Sequence, residues 1–397
     1  MSEFDHAFAN ARALLLHRRY EEAERAYEAA VALEPTNLDG QFMLAKLRYM
    51  RGDPRFARDL AATAARNRDN PALQQQFASV LRLTGDLAGA ELLLRDLIAR
   101  HGAIPAYRSV LASVLHEMNR LDEARTEALA AANAQPDNLH FQETFVSILL
   151  SLGQAETALP LVREIRRHVP GEHIWIAHEA TAARLIGDAA YGELYDYDRF
   201  VRAYDLEPPP GWRTAAEFNA ELAARLNQRH ELLRQPFDQS MRAGTQTIGS
   251  LCDDEDPVIQ AALRAFLAPI AEYRADLGAG GPHPLLSGNY GDARLSTCWS
   301  VRLGQEGHHV NHIHPDGWLS SAYYVTVPEE TAEATTRFGW IQFGEPRTPV
   351  PGAGPAHDVQ PRVGRLVLFP SYMWHGTTAI HGPNARMTMA FDVVMAR

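Results

Sequence analysis

A period of 34 residues governs the first half of the sequence. Turn-forming residues recur with successive steps of 33, 34, 34 and 34, at Gly52, Gly85, Asn119, Gly153 and Gly187. One further step upstream predicts a turn at Arg18. Glycine and asparagine adopt a left-handed backbone with little strain, so the period predicts repeated tight turns between helices. A repeat of this length cannot bury its apolar face alone, so neighbouring units must stack.

Two further markers share this period. A small residue follows each turn by five positions, at Ala23, Ala57, Ala90, Ala124, Ala158 and Gly192. Prolines close most of the units, at Pro35, Pro71, Pro105, Pro136 and Pro170. The small residue allows two helices to approach closely, and proline ends the second helix. The pattern therefore predicts six helix-turn-helix units.

The period and its markers resemble the tetratricopeptide repeat over roughly residues 3–203. The resemblance implies an all-α superhelix whose groove binds a peptide or protein partner. The alternative is an array that serves only as a dimerisation surface or a spacer.

Composition narrows the function classes. The net charge is 38 − 49 = −11 with histidine neutral, which disfavours nucleic acid and anionic membrane surfaces as partners. The two cysteines cannot form a disulfide framework or a four-thiolate zinc site. The sequence shows no signal peptide, and no apolar run approaches the about 18 residues of a membrane span. We therefore expect a cytoplasmic protein.

The periodicity ends near residue 206, and we expect three segments. Residues 1–206 form the repeat array, the proline-rich residues 207–213 form a stiff linker, and residues 214–397 form a second domain. A capping box at Thr214 opens a helix predicted to reach about Arg234, and Asp256-Pro257 opens another that Pro269 kinks. Residues 240–249 read as a loop or an edge strand.

Short β-branched and aromatic segments dominate the second domain. They are separated by turn residues and cover residues 295–303, 319–327, 338–343, 365–369 and 386–394. This spacing predicts a sandwich or a barrel. Between the first two lies His308-His-Val-Asn-His-Ile-His-Pro315, followed by Asp316. If the strand extended that far, His308, His312, His314 and Asp316 would share one face. This cluster predicts a metal site, although histidines buried in a core or solvated on a surface would give the same pattern.

Two later elements complete a pattern with this cluster. A buried apolar strand precedes His375, and Arg386 with Thr388 lies on one face of the last strand. Residues 235–397, most clearly 299–392, resemble the iron(II)- and 2-oxoglutarate-dependent oxygenases. The nearest resemblance is to the branch whose metal strand reads His-x-His-Pro and continues into Ser-x-x-Tyr-Tyr, here His312-Ile-His314-Pro315 and then residues 320–324. The resemblance implies a double-stranded β-helix, or jelly roll, with flanking helices.

The resemblance also implies a set of site residues. His375 is the distal iron ligand, Arg386 binds the far carboxylate of 2-oxoglutarate, and Thr388 adds a hydroxyl donor. Two proximal pairs remain open. His314 with Asp316 gives a facial triad of two histidines and a carboxylate, whereas His312 with His314 gives three histidines, as in some cupins. We favour His314 with Asp316.

Several roles follow from this reading. His309 and Tyr324 are expected to orient the ligands or the co-substrate. Iron(II), 2-oxoglutarate and O2 are the implied cofactor and co-substrates, and the expected activity is hydroxylation of a peptide, protein or small molecule that the repeats help to position. Two alternatives remain. One is a three-histidine metalloprotein that does not use 2-oxoglutarate, and the other is a scaffold without catalytic activity.

Overall fold

A computed structural model describes residues 1–396. Its contacts divide the chain into two units, residues 1–152 with 232–239 and residues 153–231 with 240–397. The sequence pattern instead assigns residues 153–206 to the repeat array. The first grouping follows contacts and the second follows the repeat, so the domain limits drawn from the sequence remain a prediction. No helix within residues 1–396 is both long enough and apolar enough to cross a membrane.

Twelve helices in residues 3–194 form the six predicted helix-turn-helix units. Their bounds are α1 Glu3–Leu16, α2 Tyr20–Leu33, α3 Leu38–Met50, α4 Arg58–Arg66, α5 Pro71–Leu83, α6 Leu87–His101, α7 Pro105–Glu117, α8 Leu121–Ala134, α9 Leu139–Ser151, α10 Ala155–His168, α11 His173–Ile186 and α12 Ala190–Leu194. All six predicted turn positions have positive φ, including Arg18 at 59° and Asn119 at 58°. The predicted helical repeat is thus confirmed.

The predictions for the small residues and for the prolines have different outcomes. Ala23, Ala90, Ala124 and Ala158 are fully buried, as close helix packing requires. The prolines do not all end a helix. Pro71 and Pro105 instead occupy the first position of α5 and α7, where proline has no N–H that the helix would miss.

The remaining chain is β-rich. Its elements are α13 Tyr197–Phe200, β1 Arg202–Asp205, α14 Ala215–Asn227, β2 Met241–Gln246, α15 Pro257–Ala265, α16 Leu267–Leu277, α17 Pro284–Ser287, β3 Asp292–His309, β4 Leu319–Thr326, β5 Ile341–Phe343, β6 His357–Val359, β7 Arg365–Pro370, β8 His375–Thr377 and β9 Arg386–Ala396. The predicted order, helical repeats followed by an antiparallel β domain, is confirmed. The helix opened by Thr214 ends at Asn227 rather than near Arg234, and α15 and α16 are separate helices that meet at Phe266.

Two antiparallel sheets make up the β domain. The larger has the order β1-β7-β4-β9-β3-β2, and the smaller has the order β6-β5-β8. The sheets pack together through rings such as Phe343 and Phe369, whose centroids are 5.0 Å apart. Phe266, between α15 and α16, packs on Tyr323 and Phe391 of the larger sheet. Residues 240–249 contain the edge strand β2, which pairs with β3. The sheets do not close into a barrel within residues 1–396.

Candidate metal and anion site

Three histidines from two crossing segments meet at one edge of the β domain. His312 and His375 form a single antiparallel bridge, with N–H to carbonyl distances of 2.9 and 3.0 Å in the two directions. The amide of His314 donates to the carbonyl of Ser371 at 2.9 Å. A side chain at Gly376 could not be accommodated, because its Cβ would lie 2.9 Å from the carbonyl oxygen of His309. Backbone pairing therefore places residues 63 positions apart in the sequence against each other.

The ring nitrogens of these histidines are arranged for ligation. Each Nδ1 has an acceptor, namely the carbonyl of Val310 at 3.0 Å for His312, Asp392 Oδ1 at 2.7 Å for His314 and the carbonyl of Met373 at 2.9 Å for His375. An Nδ1–H that donates to such an acceptor leaves Nε2 with a free lone pair.

Ring nitrogens of the three histidines converge. One ligand atom from each histidine lies within 4.8 Å of the others, and the Nε2 atoms of His312 and His314 are 3.2 Å apart. Two imidazole nitrogens bound at right angles to one metal ion at about 2.1 Å would be about 3 Å apart. Neither nitrogen carries a proton in this tautomer, so both lone pairs are available to a metal ion.

Burial favours the uncharged form of two of the three rings, those of His312 and His375. Burial, and then the neighbouring imidazole of His314, lowers the pKa of His312 to about 3. Burial also holds the pKa of His375 well below its usual range. A neutral imidazole is the form that binds a metal ion, so these two residues are ready to act as ligands at neutral pH.

The other residues of the histidine-rich segment lie differently. Strand β3 ends at His309, so the shared face expected for His308, His312, His314 and Asp316 does not continue along one strand. Asp316 is exposed and is not part of the three-histidine group. His309 stacks on His312 with ring centroids 5.8 Å apart. The Ser240 hydroxyl lies 3.1 Å from His309 Nδ1 and 3.3 Å from His312 Nε2.

Asp392 contributes to the site and was not found from the sequence. Its Oδ1 accepts hydrogen bonds from His314 Nδ1 at 2.7 Å and from the Ser320 hydroxyl at 2.8 Å. A carboxylate bonded in this way fixes the ring orientation of a ligand histidine and makes it more basic. The available signal was an acidic residue within the otherwise apolar run from Met389 to Val394.

Arg386 is a buried cation on β9, the strand that also carries Asp392. Arg386 is 2% exposed, donates from Nη1 to the carbonyl of Gly339, and has its guanidinium 5.7 Å from the Tyr324 ring centre. Its Nε and the Tyr324 hydroxyl have no hydrogen-bond partner, and within residues 1–396 no carboxylate pairs with the guanidinium. Thr388, also buried, pairs with Tyr324 across β4 and β9. Unpaired donors around a buried positive charge fit an anionic ligand.

The charge of Arg386 acts on His309, which stacks on the histidine cluster. After burial and the neighbouring His312, the positive charge of Arg386 is the next contribution that lowers the pKa of His309. Because His309 also stacks on His312, the guanidinium and the cluster belong to one neighbourhood. A ligand with a carboxylate at one end and metal-binding oxygens at the other would suit both.

A cavity of about 300 Å³ lies beside the backbone of this cluster. Trp318, Tyr372 and His173 are among its lining residues. His173 Nδ1 donates to the carbonyl of His314 at 2.8 Å, so one wall of the cavity is joined to a candidate ligand. Burial lowers the pKa of His173, which keeps this ring neutral as well.

Comparisons with known proteins concern the region that contains this site. Residues 297–392 match the family model described as "Putative 2OG-Fe(II) oxygenase". The predicted oxygenase resemblance is thus confirmed for that region, which is less than half of the chain. A search of curated proteins found no match.

Solved structures resemble the chain in part. A prolyl-4-hydroxylase from Pseudomonas putida is 15% identical over 52% of this chain and 98% of its own, with a TM-score of 0.35. HygX from Streptomyces hygroscopicus, solved with nickel and 2-oxoglutarate, is 12% identical over 51% and 86%, with a TM-score of 0.35. A tetratricopeptide repeat protein from Parabacteroides merdae is 12% identical over 57% and 86%, with a TM-score of 0.40.

Proposed function

We propose that this protein is an iron(II)- and 2-oxoglutarate-dependent dioxygenase whose metal ligands are His312, His314 and His375. The observation that carries the proposal is the convergence of one ring nitrogen from each of three histidines, in a domain that also buries a guanidinium with no carboxylate partner within residues 1–396. This ligand set replaces the pair that we favoured from the sequence, because Asp316 is exposed and lies outside the group. Asp392 accepts a hydrogen bond from His314 and is not itself a metal ligand in this scheme.

Arg386 would bind the far carboxylate of 2-oxoglutarate. Its free Nε, the unpaired Tyr324 hydroxyl and the Thr388 hydroxyl are the donors available to that carboxylate. When bound, iron(II) with 2-oxoglutarate and O2 supplies an oxidative decarboxylation, coupled to oxidation of the substrate, that yields succinate and carbon dioxide. The chain's contribution is to hold the co-substrate by its carboxylate, to orient the ligands and to exclude water from the buried rings.

Metal binding separates the two ligand schemes. Cobalt(II) titration by calorimetry should show one site in the wild-type protein and in Asp316→Ala. His312→Ala should lose that site, because one of three converging nitrogens is removed. If Asp316→Ala loses the metal and His312→Ala keeps it, the scheme with the carboxylate ligand is correct.

Turnover separates the leading function from its nearest alternative. A three-histidine metalloprotein that does not use 2-oxoglutarate is favoured by one observation, the absence of a carboxylate from the metal-ligating group of the described residues. Purified protein with iron(II), ascorbate and 2-oxoglutarate should release succinate even without a substrate. Metal binding with neither succinate release nor 2-oxoglutarate binding would establish the alternative.

The substrate is proposed as a peptide, protein or small molecule that the repeats help to position. Mass spectrometry of a cell lysate, treated with the enzyme and with His375→Ala, should show a product about 16 Da heavier only in the first sample. An increase that also appears with the variant would not come from this site.

A further inference from the structure

One face of α3 carries an aromatic and basic stripe. Phe42, Lys46 and Tyr49 are spaced by four and three residues, so they project from the same side of the helix. By its contacts, a segment from much later in the chain, residues 232–239, belongs with residues 1–152. This segment covers the stripe, although the repeat pattern does not include it.

Phe237 is the central contact of the segment. It is 2% exposed, and its ring lies 5.3 Å from that of Phe42 and 5.5 Å from that of Tyr49, both edge to face. Phe56, after the helix, lies 6.3 Å away. An aromatic side chain held edge to face by other rings occupies a shaped pocket rather than a flat patch.

Residues before and after Phe237 in the segment also contact α3. Lys46 Nζ lies 2.7 Å from Asp238 Oδ2, and the Arg234 guanidinium lies 5.4 Å from the centre of the Tyr49 ring. The amides of Leu233 and Arg234 both donate to the carbonyl of Met50, at 2.9 and 3.0 Å. The stripe therefore contacts a basic residue (Arg234), an aromatic residue three positions later (Phe237) and the acidic residue that follows it (Asp238).

Phe237 also packs in a buried cluster with Leu60, Ala64, Leu73 and Val80. The segment has no helix or strand, and Leu232, Pro236 and Phe237 are its buried residues. An irregular segment anchored by a few side chains opens more readily than a regular element. Chain connectivity keeps it at a high effective concentration, so a free peptide must compete against it.

We propose that this face of α3 is a peptide-docking site and that residues 232–239 are its built-in occupant. The external partner is a peptide with the chemistry of Arg234, Phe237 and Asp238, namely basic, then aromatic, then acidic at the same spacing. Binding of that peptide displaces the segment. The proposal concerns residues 1–152 with 232–239 and does not rest on the proposed oxygenase activity.

Fluorescence anisotropy of a labelled peptide with the sequence of residues 231–240 tests this directly on the full-length chain. Phe237→Ala empties the pocket, so it should bind the peptide at least about tenfold more tightly than the wild-type protein, whose site is occupied by its own segment. Leu233→Ala, at a 73% exposed position of the same segment, is the matched control and should bind as the wild type does. Equal affinity in the wild type and Phe237→Ala, or no binding to either, would overturn the proposal.

Charge reversal tests the specificity of the site. In the Phe237→Ala background, Lys46→Glu should weaken the peptide, and a peptide with lysine in place of the residue equivalent to Asp238 should recover affinity for that double variant. Lack of recovery would overturn the role assigned to the charge pair.

A measurement on the wild-type protein covers the case in which the variants fail to fold. Amide hydrogen exchange of residues 232–239 should accelerate when unlabelled peptide is present in large excess, because displacement breaks the bonds of Leu233 and Arg234 to Met50. Unchanged exchange in the presence of the peptide would mean that the segment is a fixed part of the repeat core.

Discussion

Two buried arginines, one in each unit, differ in what surrounds their charge. Arg48 on α3 and Arg386 on β9 are each 2% exposed. Arg48 pairs with three carboxylates, those of Glu24, Glu28 and Asp59. Burial alone would lower the pKa of Arg48, but these hydrogen bonds outweigh burial and raise it. This arginine is a structural cation whose charge is fully compensated.

Arg386 has no such partners among the residues that the structure describes. Burial lowers its pKa, with only the Tyr324 hydroxyl opposing that direction. A guanidinium does not release its proton in proteins, so the charge must be tolerated unpaired or met by a ligand. The comparison teaches that burial alone does not mark a functional cation, whereas burial without a counter-charge does.

The largest expected effect is on ligand binding at Arg386. Arg386→Met should weaken 2-oxoglutarate binding by about 2–5 kcal/mol, because a carboxylate would enter a buried site without its cation. Unfolding in urea should show stability unchanged or increased, since an uncompensated buried charge is removed. Calorimetry with 2-oxoglutarate and the metal measures the first effect. Arg365→Met is the control, because Arg365 already pairs with Asp205. Equal affinity in the wild type and Arg386→Met would remove the proposed difference between the two arginines.

The opposite result is expected at Arg48. Arg48→Met should lower the free energy of unfolding by about 2–3 kcal/mol, since it leaves three carboxylates together, two of them near half-exposed and partly solvated. Urea denaturation followed by circular dichroism measures this loss. Arg82→Met, which removes the more exposed pair with Glu117, should cost less than about 1 kcal/mol. A loss at Arg48 no larger than at Arg82 would contradict the structural role.

His230 provides an intermediate case, since it can give up its charge. Its ring nitrogens bond to the hydroxyls of Thr245 at 2.8 Å and Ser300 at 3.0 Å, and burial, followed by the charge of Arg302, lowers its pKa to about 4. The unfolded chain binds a proton below about pH 6.5 and the folded protein does not, so stability falls as the pH drops from about 6.5 to 4.

Between pH 7 and pH 5 this histidine should reduce the free energy of unfolding by about 2 kcal/mol. His230→Gln should lack that part of the pH dependence in urea titrations at the two values. A pH dependence identical to that of the wild type would mean that the folded protein protonates His230 as readily as the unfolded chain does.

The last effect is expected at Asp392, the carboxylate that serves a histidine rather than the arginine. Asp392→Asn keeps an acceptor for His314 Nδ1 but removes the negative charge, so cobalt(II) affinity should fall by about 10-fold, and Asp392→Ala should lose up to about 100-fold. Calorimetry with the metal alone measures both. Ser320→Ala, which removes only the bond to Asp392, should change the affinity less than either variant. Unchanged affinity in Asp392→Ala would mean that Asp392 does not support His314 as a metal ligand.

The two halves differ in predictability because the repeats depend on local sequence, whereas the site depends on contacts between distant residues. Each repeat turn depends on a local requirement for a left-handed backbone, so even the turn at Arg18, extrapolated by one period, has the expected φ of 59°. The proline positions were also visible, but whether a proline ends one helix or begins the next depends on a few neighbouring residues. Pro71 and Pro105 were misread for that reason.

The site was harder to predict because non-local contacts form it. His375 and Arg386 were proposed through a resemblance that preserves their order along the chain. The alternation argument could not choose between His312 and Asp316, because β3 stops at His309 and a bridge to His375 sets the direction of the next residues. Asp392 could not be linked to His314 from the sequence, since their contact depends on how the end of β9 lies beside the loop before β4.

The return of residues 232–239 to the repeat unit bears on how this protein can be divided for laboratory work. A fragment ending at residue 206 would lack Phe237 and uncover the rings of Phe42 and Tyr49, an apolar surface that favours aggregation. It would also carry α11 away from Trp374, whose indole donates to Thr181 at 3.2 Å. We therefore expect either half, expressed alone, to be incompletely packed, and residues 1–397 are better studied together.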